Sequence, residues 1–193
     1  MRSHPDWTYQ PLWITNRPMT SDLTFETARL QIENWEVILS DSFKREKLEQ
    51  ELNRIITSKV THRLPLSMQF SAEHDSISKW IDARANETEV LCAHARDTAA
   101  LVGLILLFKN PEKSEALTVQ LGYFFGEPNW GKGYATEMIT GLITAIKGGL
   151  QARLVAGVDR DNAASVGVLE KSGFKKIPEQ TTAGRYYFEI DVM

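Results

Sequence analysis

The chain has 193 residues, enough for one domain with a full core, and its 42% hydrophobic and 24% charged content excludes a disordered or fibrous class. A net charge of −3 leaves no generally basic surface, so no nucleic-acid partner is expected. A single cysteine, Cys92, excludes an intrachain disulfide. It lies in the apolar run VLCAHA and reads as a small buried hydrophobe. The opening MRSHPDWTYQ has no apolar signal-like run, and no stretch approaches the roughly 18 apolar residues of a membrane span. The expectation is therefore a cytoplasmic protein without a membrane partner. His4, His62, His74 and His94 are scattered without ligand spacing, so no metal is expected.

Residues 1–23 carry Pro5, Pro11 and Pro18 among Trp7 and Trp13, and prolines at this density exclude a helix. They read as an N-terminal extension ahead of a domain over 24–193. The tryptophans could pin it to the body or to a second subunit, and a mobile tail fits equally well. LTFETARLQIENW includes a first strand, in which Leu30 and Ile32 alternate with charged and polar neighbours. Ser40 or Asp41 caps a helix over 43–58 with Leu48, Leu52, Ile55 and Ile56 inward. Ser71 is expected to cap SAEHDSISKWIDARAN, placing Glu73, His74 and Asp75 in its first turn. Residues 87–96 and 99–109 read as a hairpin turning at Asp97, with Gly103 marking a bulge or a close backbone approach. The short links here, and KNPEKSE after them, imply antiparallel neighbours.

Residues 117–147 form one unit. LTVQLGYFF is a strand rich in β-branched and aromatic residues, and GEPNWGKG is a glycine loop. From Tyr134 the apolar residues Met138, Ile139, Leu142, Ile143 and Ile146 follow helical spacing. A glycine loop running into a helix start presents unpaired N–H groups to an anion, most naturally a phosphate. Gly148 and Gly149 stop that helix, and ARLVAGV is the next strand. Asp161 or Asn162 then caps a helix that ends at Ser172, with Gly173 in the left-handed position and Phe174 packing after it. Residues 174–177 and 185–192 close the sheet.

Two readings fit the loop. GEPNWGKG nearly matches the P-loop pattern G-x-x-x-x-G-K-[ST], and RLVAGVD resembles the strand whose Asp would hold Mg²⁺ in a nucleotide hydrolase. Gly133, however, stands where that pattern needs a hydroxyl. The second reading is a resemblance. WGKGYA (130–135) is similar to the Q/R-x-x-G-x-G/A loop of the GNAT N-acetyltransferases, with Trp130 at the Gln/Arg position, and WGKGYATE looks like the RimJ/RimL-like branch. DRDNAASVGVLEKSGFKK (159–176) matches that branch's N-x-x-S-x-x-x-L-E-K-x-G-F at Asn162, Ser165, Leu169, Glu170, Lys171, Gly173 and Phe174. ETARLQI resembles the T-x-R-L-x-L start of the family.

The resemblance implies an α/β (α+β) fold: a mixed, mostly antiparallel sheet of six or seven strands with about four helices. The strands ending at Phe125 and Val158 would form a parallel pair splayed at its C-terminal end. It implies acetyl transfer from acetyl-CoA to a primary amine by direct attack in a ternary complex, with no metal. Backbone groups of Gly131, Lys132, Gly133, Tyr134, Ala135 and Thr136 would hold the pyrophosphate. Tyr123, Phe124 and Phe125 would meet the pantetheine arm and supply an oxyanion donor, and Asn162 would contact the coenzyme. A branch with a tyrosine acid carries it seven residues after the asparagine, where this chain has Leu169. Ser165 matches a serine placed near the sulfur. The general base stays open among Glu127, Glu89, His94, Tyr123 and Glu73, or a water chain to a distant carboxylate. The assembly would be a monomer or homodimer. A coenzyme-binding domain without catalysis is the alternative within the resemblance.

Overall fold

The computed structural model describes residues 23–71, 74–110, 117–147, 151–182 and 184–193. Residues 1–22 of the N-terminal extension, Glu73 and the glycines at 148 and 149 lie outside them, while Leu23 joins the core. The strands are β1 (Phe25–Glu26), β2 (Leu30–Asn34), β3 (Glu89–Ala95), β4 (Leu101–Asn110), β5 (Leu117–Phe125), β6 (Ala152–Asp159), β7 (Lys175–Lys176) and β8 (Arg185–Val192). They form one sheet in the order β1-β2-β3-β4-β5-β6-β8-β7. Neighbours are antiparallel except β5 and β6, which are parallel. This topology is not the parallel, helix-crossed sheet that a P-loop hydrolase requires.

The helices are α1 (Trp35–Leu39), α2 (Ser42–Ile55), α3 (Ser58–Thr61), α4 (Ile77–Glu87), α5 (Tyr134–Lys147) and α6 (Ala163–Lys171). They divide between the two faces of the sheet. Leu91, Ala93, Ile105, Leu107, Val119 and Phe125 face α5 and α6, whose Met138, Ile139, Leu142 and Leu169 complete one core. The alternate residues Val90, Cys92, Leu104, Leu106 and Phe124 face α1 to α4 and pack on Trp35, Leu48, Leu52, Trp80 and Ile81. Cys92 is fully buried, and burial pushes its thiol up, out of the reactive range.

The described residues hold eight strands and six α-helices, more than the six or seven strands and about four helices expected. The surplus is short: β1 and β7 have two residues each, α1 five and α3 four. Such lengths carry too few residues to show a period. The helix expected from Ser71 starts later. Ser76 is the cap, its hydroxyl accepting from Lys79 N–H, while the Asp75 carboxylate accepts from Ser71 N–H in the turn before. Asp75 therefore closes a local turn rather than sitting in the helix's first turn.

At Gly103 the β3–β4 register shifts between Ala93 and His94. A Cβ there would lie 2.5 Å from the Phe124 carbonyl oxygen and 2.7 Å from the Phe125 ring. The bulge and the close approach expected at this glycine are both present.

Candidate active site

The parallel pair is a fork. β5 and β6 are in register only from Leu117 opposite Ala152 to Gln120 opposite Val155. Beyond that level β5 continues to Phe125 against β4 alone, and β6 continues to Asp159 against β8 alone. The backbone on the open side of β5 is left without a strand partner. Gly126 N–H donates to the Val102 carbonyl at 3.0 Å. Gly103 and Phe125 are therefore a non-hydrogen-bonded pair of the alternating ladder. The N–H and C=O groups of Phe125 and, two residues back, Tyr123 point away from β4 into the fork. The indole Nε1 of Trp130 turns back and donates to the Phe125 carbonyl at 2.6 Å. The Tyr123 amide and carbonyl and the Phe125 N–H remain as an edge that an extended amide-bearing arm can pair with.

The glycine loop stands at the mouth of this fork. Gly131 (φ 73°) and Gly133 (φ 80°) both have left-handed backbones, which explains why glycine is needed at each. Helix α5 begins at Tyr134, so the N–H groups of Tyr134, Ala135 and Thr136 lack acceptors within the helix. The loop is exposed at Gly131, Lys132 and Gly133. Charge-bearing residues back it from one side: the Arg29 guanidinium donates to the Lys132 carbonyl at 2.9 Å and pairs with Glu137 at 2.6 Å. Lys132 Nζ reaches the Asn129 side-chain oxygen at 3.5 Å.

Across the fork stands α6. Asn162 is its cap, the side-chain oxygen accepting from Ser165 N–H at 3.2 Å. The helix closes with the Gly173 N–H on the Glu170 carbonyl and the Phe174 N–H on the Leu169 carbonyl, with Gly173 at φ 89°. This is the paired closure that the glycine–phenylalanine sequence leads one to expect. Ser165 and Tyr123, 42 positions apart in sequence, are brought together. The Tyr123 hydroxyl is buried and has no hydrogen bond of ordinary geometry. Burial pushes its phenol up, and the nearby Ser165 hydroxyl opposes this only in part. Tyr123 is therefore a protonated donor at neutral pH, which does not suit the base role also considered for it. A buried, unspent hydroxyl costs roughly 1–3 kcal/mol.

The remaining acid–base candidates are engaged or distant. Glu127 accepts from Lys59 Nζ in a short contact and from the Thr57 hydroxyl at 3.4 Å. His94 Nδ1 lies 3.5 Å from Glu33. Burial lowers its pKa, against the pull of Glu33 and Glu51, and it stands two strands from β5. Glu89 pairs at the level of Leu107, four residues along β4 from Gly103, about 13 Å from the level of Phe125. Sequence reasoning missed Lys59 and Arg63. Arg63 donates to Asp161 at 2.6 Å and lies 4.0 Å from Asp159, which Arg185 also holds at 2.9 Å. Residues 57–63 thus tie to both lips of the fork. Their partners are 68 and 98 positions away, and no local signal reports contacts of that range.

No group of three or more potential ligand side chains that could hold a metal occurs among the described residues, and no described helix is long and apolar enough to cross a membrane.

Solved structures share the fold. A GNAT-family acetyltransferase from Bacillus anthracis superposes with a TM-score of 0.63 at 21% identity, over 88% of this chain and 98% of its own. An acetyltransferase from Agrobacterium tumefaciens gives 0.59 at 17%, over 94% and 98%. A spermidine N-acetyltransferase from Vibrio cholerae, solved with CoA and spermine, gives 0.60 at 13%, over 84% and 95%. At these identities the likeness is one of fold. Among curated proteins none matches by sequence. The family model described as an acetyltransferase (GNAT) domain matches residues 26–175. That span takes in β2, the fork, the glycine loop and α6, and the chain belongs to the GNAT acetyltransferase family.

Proposed function

We propose that this protein transfers an acetyl group from acetyl-CoA to a primary amine, by direct attack while both are bound. The observation that carries this reading is the fork: an unpaired edge at Tyr123 and Phe125, with a doubly left-handed glycine loop at its mouth. The edge suits a pantetheine arm, and the loop amides with the α5 N-terminus suit a pyrophosphate. Gly131, Lys132, Gly133, Tyr134, Ala135 and Thr136 would hold it by backbone, beside Trp130. Phe124 turns to the opposite face, against Trp80, and supports the edge by packing. The Phe125 N–H is the oxyanion donor in this reading. Asn162 caps α6 and sets Ser165 at the fork.

The chain's own contribution to chemistry is positional and protonic. Holding amine and thioester together supplies several kcal/mol of the barrier reduction. Tyr123, a buried donor without a partner, and Ser165 beside it, would donate to the sulfur as it leaves with a negative charge. Glu127 would take the amine proton through water, since its carboxylate is already held by Lys59 and Thr57.

The motifs WGKGYATE and N-x-x-S-x-x-x-L-E-K-x-G-F support a place in the RimJ/RimL-like branch. The structure of RimL, a ribosomal L7/L12 α-N-acetyltransferase, in complex with CoA has the same fold (TM-score 0.59) at 13% identity. Acceptors to try are accordingly N-terminal peptides and polyamines. The test is release of free thiol from acetyl-CoA with a panel of peptides, polyamines, amino acids and aminoglycosides. Thiol release dependent on one amine class supports the proposal. CoA binding without turnover on any amine would favour a coenzyme sensor, a reading that the engaged state of Glu127 keeps in view.

A further inference from the structure

The turn between β1 and β2 carries no reacting group, yet it is bound closely to the glycine loop. Arg29 reaches from this turn with three kinds of contact. Its Nη1 donates to the Lys132 carbonyl at 2.9 Å. Its Nε and Nη2 meet Glu137 Oε2 at 2.7 and 2.6 Å. Its guanidinium lies 4.7 Å from the centre of the Tyr134 ring. The other oxygen of Glu137 accepts from the Arg29 backbone N–H at 2.7 Å and from the Thr27 hydroxyl at 2.6 Å. Burial pushes the Glu137 carboxyl up, but these hydrogen bonds outweigh it and hold it below the usual range.

The consequence falls on one peptide. A trans peptide carries its carbonyl and its N–H on opposite edges. With the Lys132 carbonyl turned onto Arg29, the Gly133 N–H is directed from the other edge. Gly131 and Gly133 flank Lys132, so this stretch of backbone has few steric restraints of its own. A flipped peptide would present a carbonyl oxygen, the wrong polarity for an anion. We infer that Arg29 is a positioning residue for the coenzyme loop. It fixes the Lys132–Gly133 peptide with the N–H toward the pyrophosphate, Glu137 holds Arg29 in place, and Arg29 cancels the carboxylate's charge near the α5 N-terminus. This rests on the coenzyme reading of the loop. The guanidinium fork is needed because a lysine ammonium has no planar pair of donors to engage Glu137 while reaching the Lys132 carbonyl.

The test compares two donors, acetyl-CoA and S-acetylpantetheine, which lacks the pyrophosphate, on the wild type, Arg29→Lys and Glu137→Gln, together with CoA affinity by calorimetry. Arg29→Lys is expected to raise the CoA Kd and the acetyl-CoA KM about tenfold, the scale of one charge-assisted hydrogen bond, with kcat within about twofold. Its kcat/KM for S-acetylpantetheine should stay at the wild-type value. Glu137→Gln should act in the same direction and more weakly, and it serves if Arg29→Lys fails to fold. Equal losses with both donors would reduce Arg29 to a structural brace and overturn the inference, as would unchanged CoA affinity in both variants. A wild type that binds no CoA would overturn the coenzyme reading itself.

Discussion

The Tyr123 hydroxyl is the residue-scale feature that sets function apart from packing. A buried donor left without a partner is a cost to stability, whereas a donor held for a ligand is an asset only when the ligand is present. Tyr123→Phe separates the two. It removes the orphan group and keeps the ring, so thermal stability should be unchanged or slightly raised. If the hydroxyl serves the leaving sulfur, single-turnover acetyl transfer should fall roughly ten- to a hundredfold, the rate equivalent of about 1.5–3 kcal/mol, with CoA affinity little changed. Ser165→Ala should show the same pattern. If both hydroxyls serve the same sulfur, the double variant should lose less than the sum of the two. Normal single-turnover rates in both single variants would remove this pair from the mechanism. Ser165 was visible in the sequence only through the resemblance, whose N-x-x-S motif it matches three residues after Asn162. The meeting of Tyr123 with Ser165 was not, because it depends on how far β5 and β6 part after Gln120 and Val155.

Among the elements, the strand–loop–helix unit was the most legible. Its apolar spacing placed α5 from Tyr134, and its glycines gave the left-handed loop. α6 was legible for a similar reason, since Asn162, Gly173 and Phe174 state both its ends. The start of α4 was misread because Ser71 and Ser76 are both competent caps. Asp75 decided between them by turning back onto the Ser71 N–H, a contact no periodicity reveals. Gly103 belongs to this scale too. It lets β4 approach the end of β5 beside the β3 bulge, where Phe125 sits above the missing Cβ. Gly103→Ala should force the two strands apart, because the atom it would strike at 2.5 Å is the backbone oxygen of Phe124. A loss of about 1–3 kcal/mol in denaturant stability is expected. CoA affinity should fall with it, since the strained strand carries the open edge of the fork. Unchanged stability would mean that the edge of β5 has slack to move, against a rigid fork.

For the whole molecule, the resemblance carried the fold class, and the antiparallel neighbours and parallel central pair followed. Strands of two residues and helices of four or five stayed hidden, being set by tertiary contacts rather than by pattern. The segment at 57–63 that ties to both lips of the fork was hidden for the same reason. The central claim is that fork and loop form one site for a pantetheine arm joined to a pyrophosphate. Calorimetry with CoA, ATP and 3′,5′-ADP on the intact protein tests this most directly. CoA should bind with one site per chain, and ATP and 3′,5′-ADP, which have phosphates but no arm, should bind at least about tenfold more weakly, the loss of roughly 1.4 kcal/mol or more of edge pairing. Equal affinity for CoA and for the two nucleotides, or no binding of CoA, would contradict it.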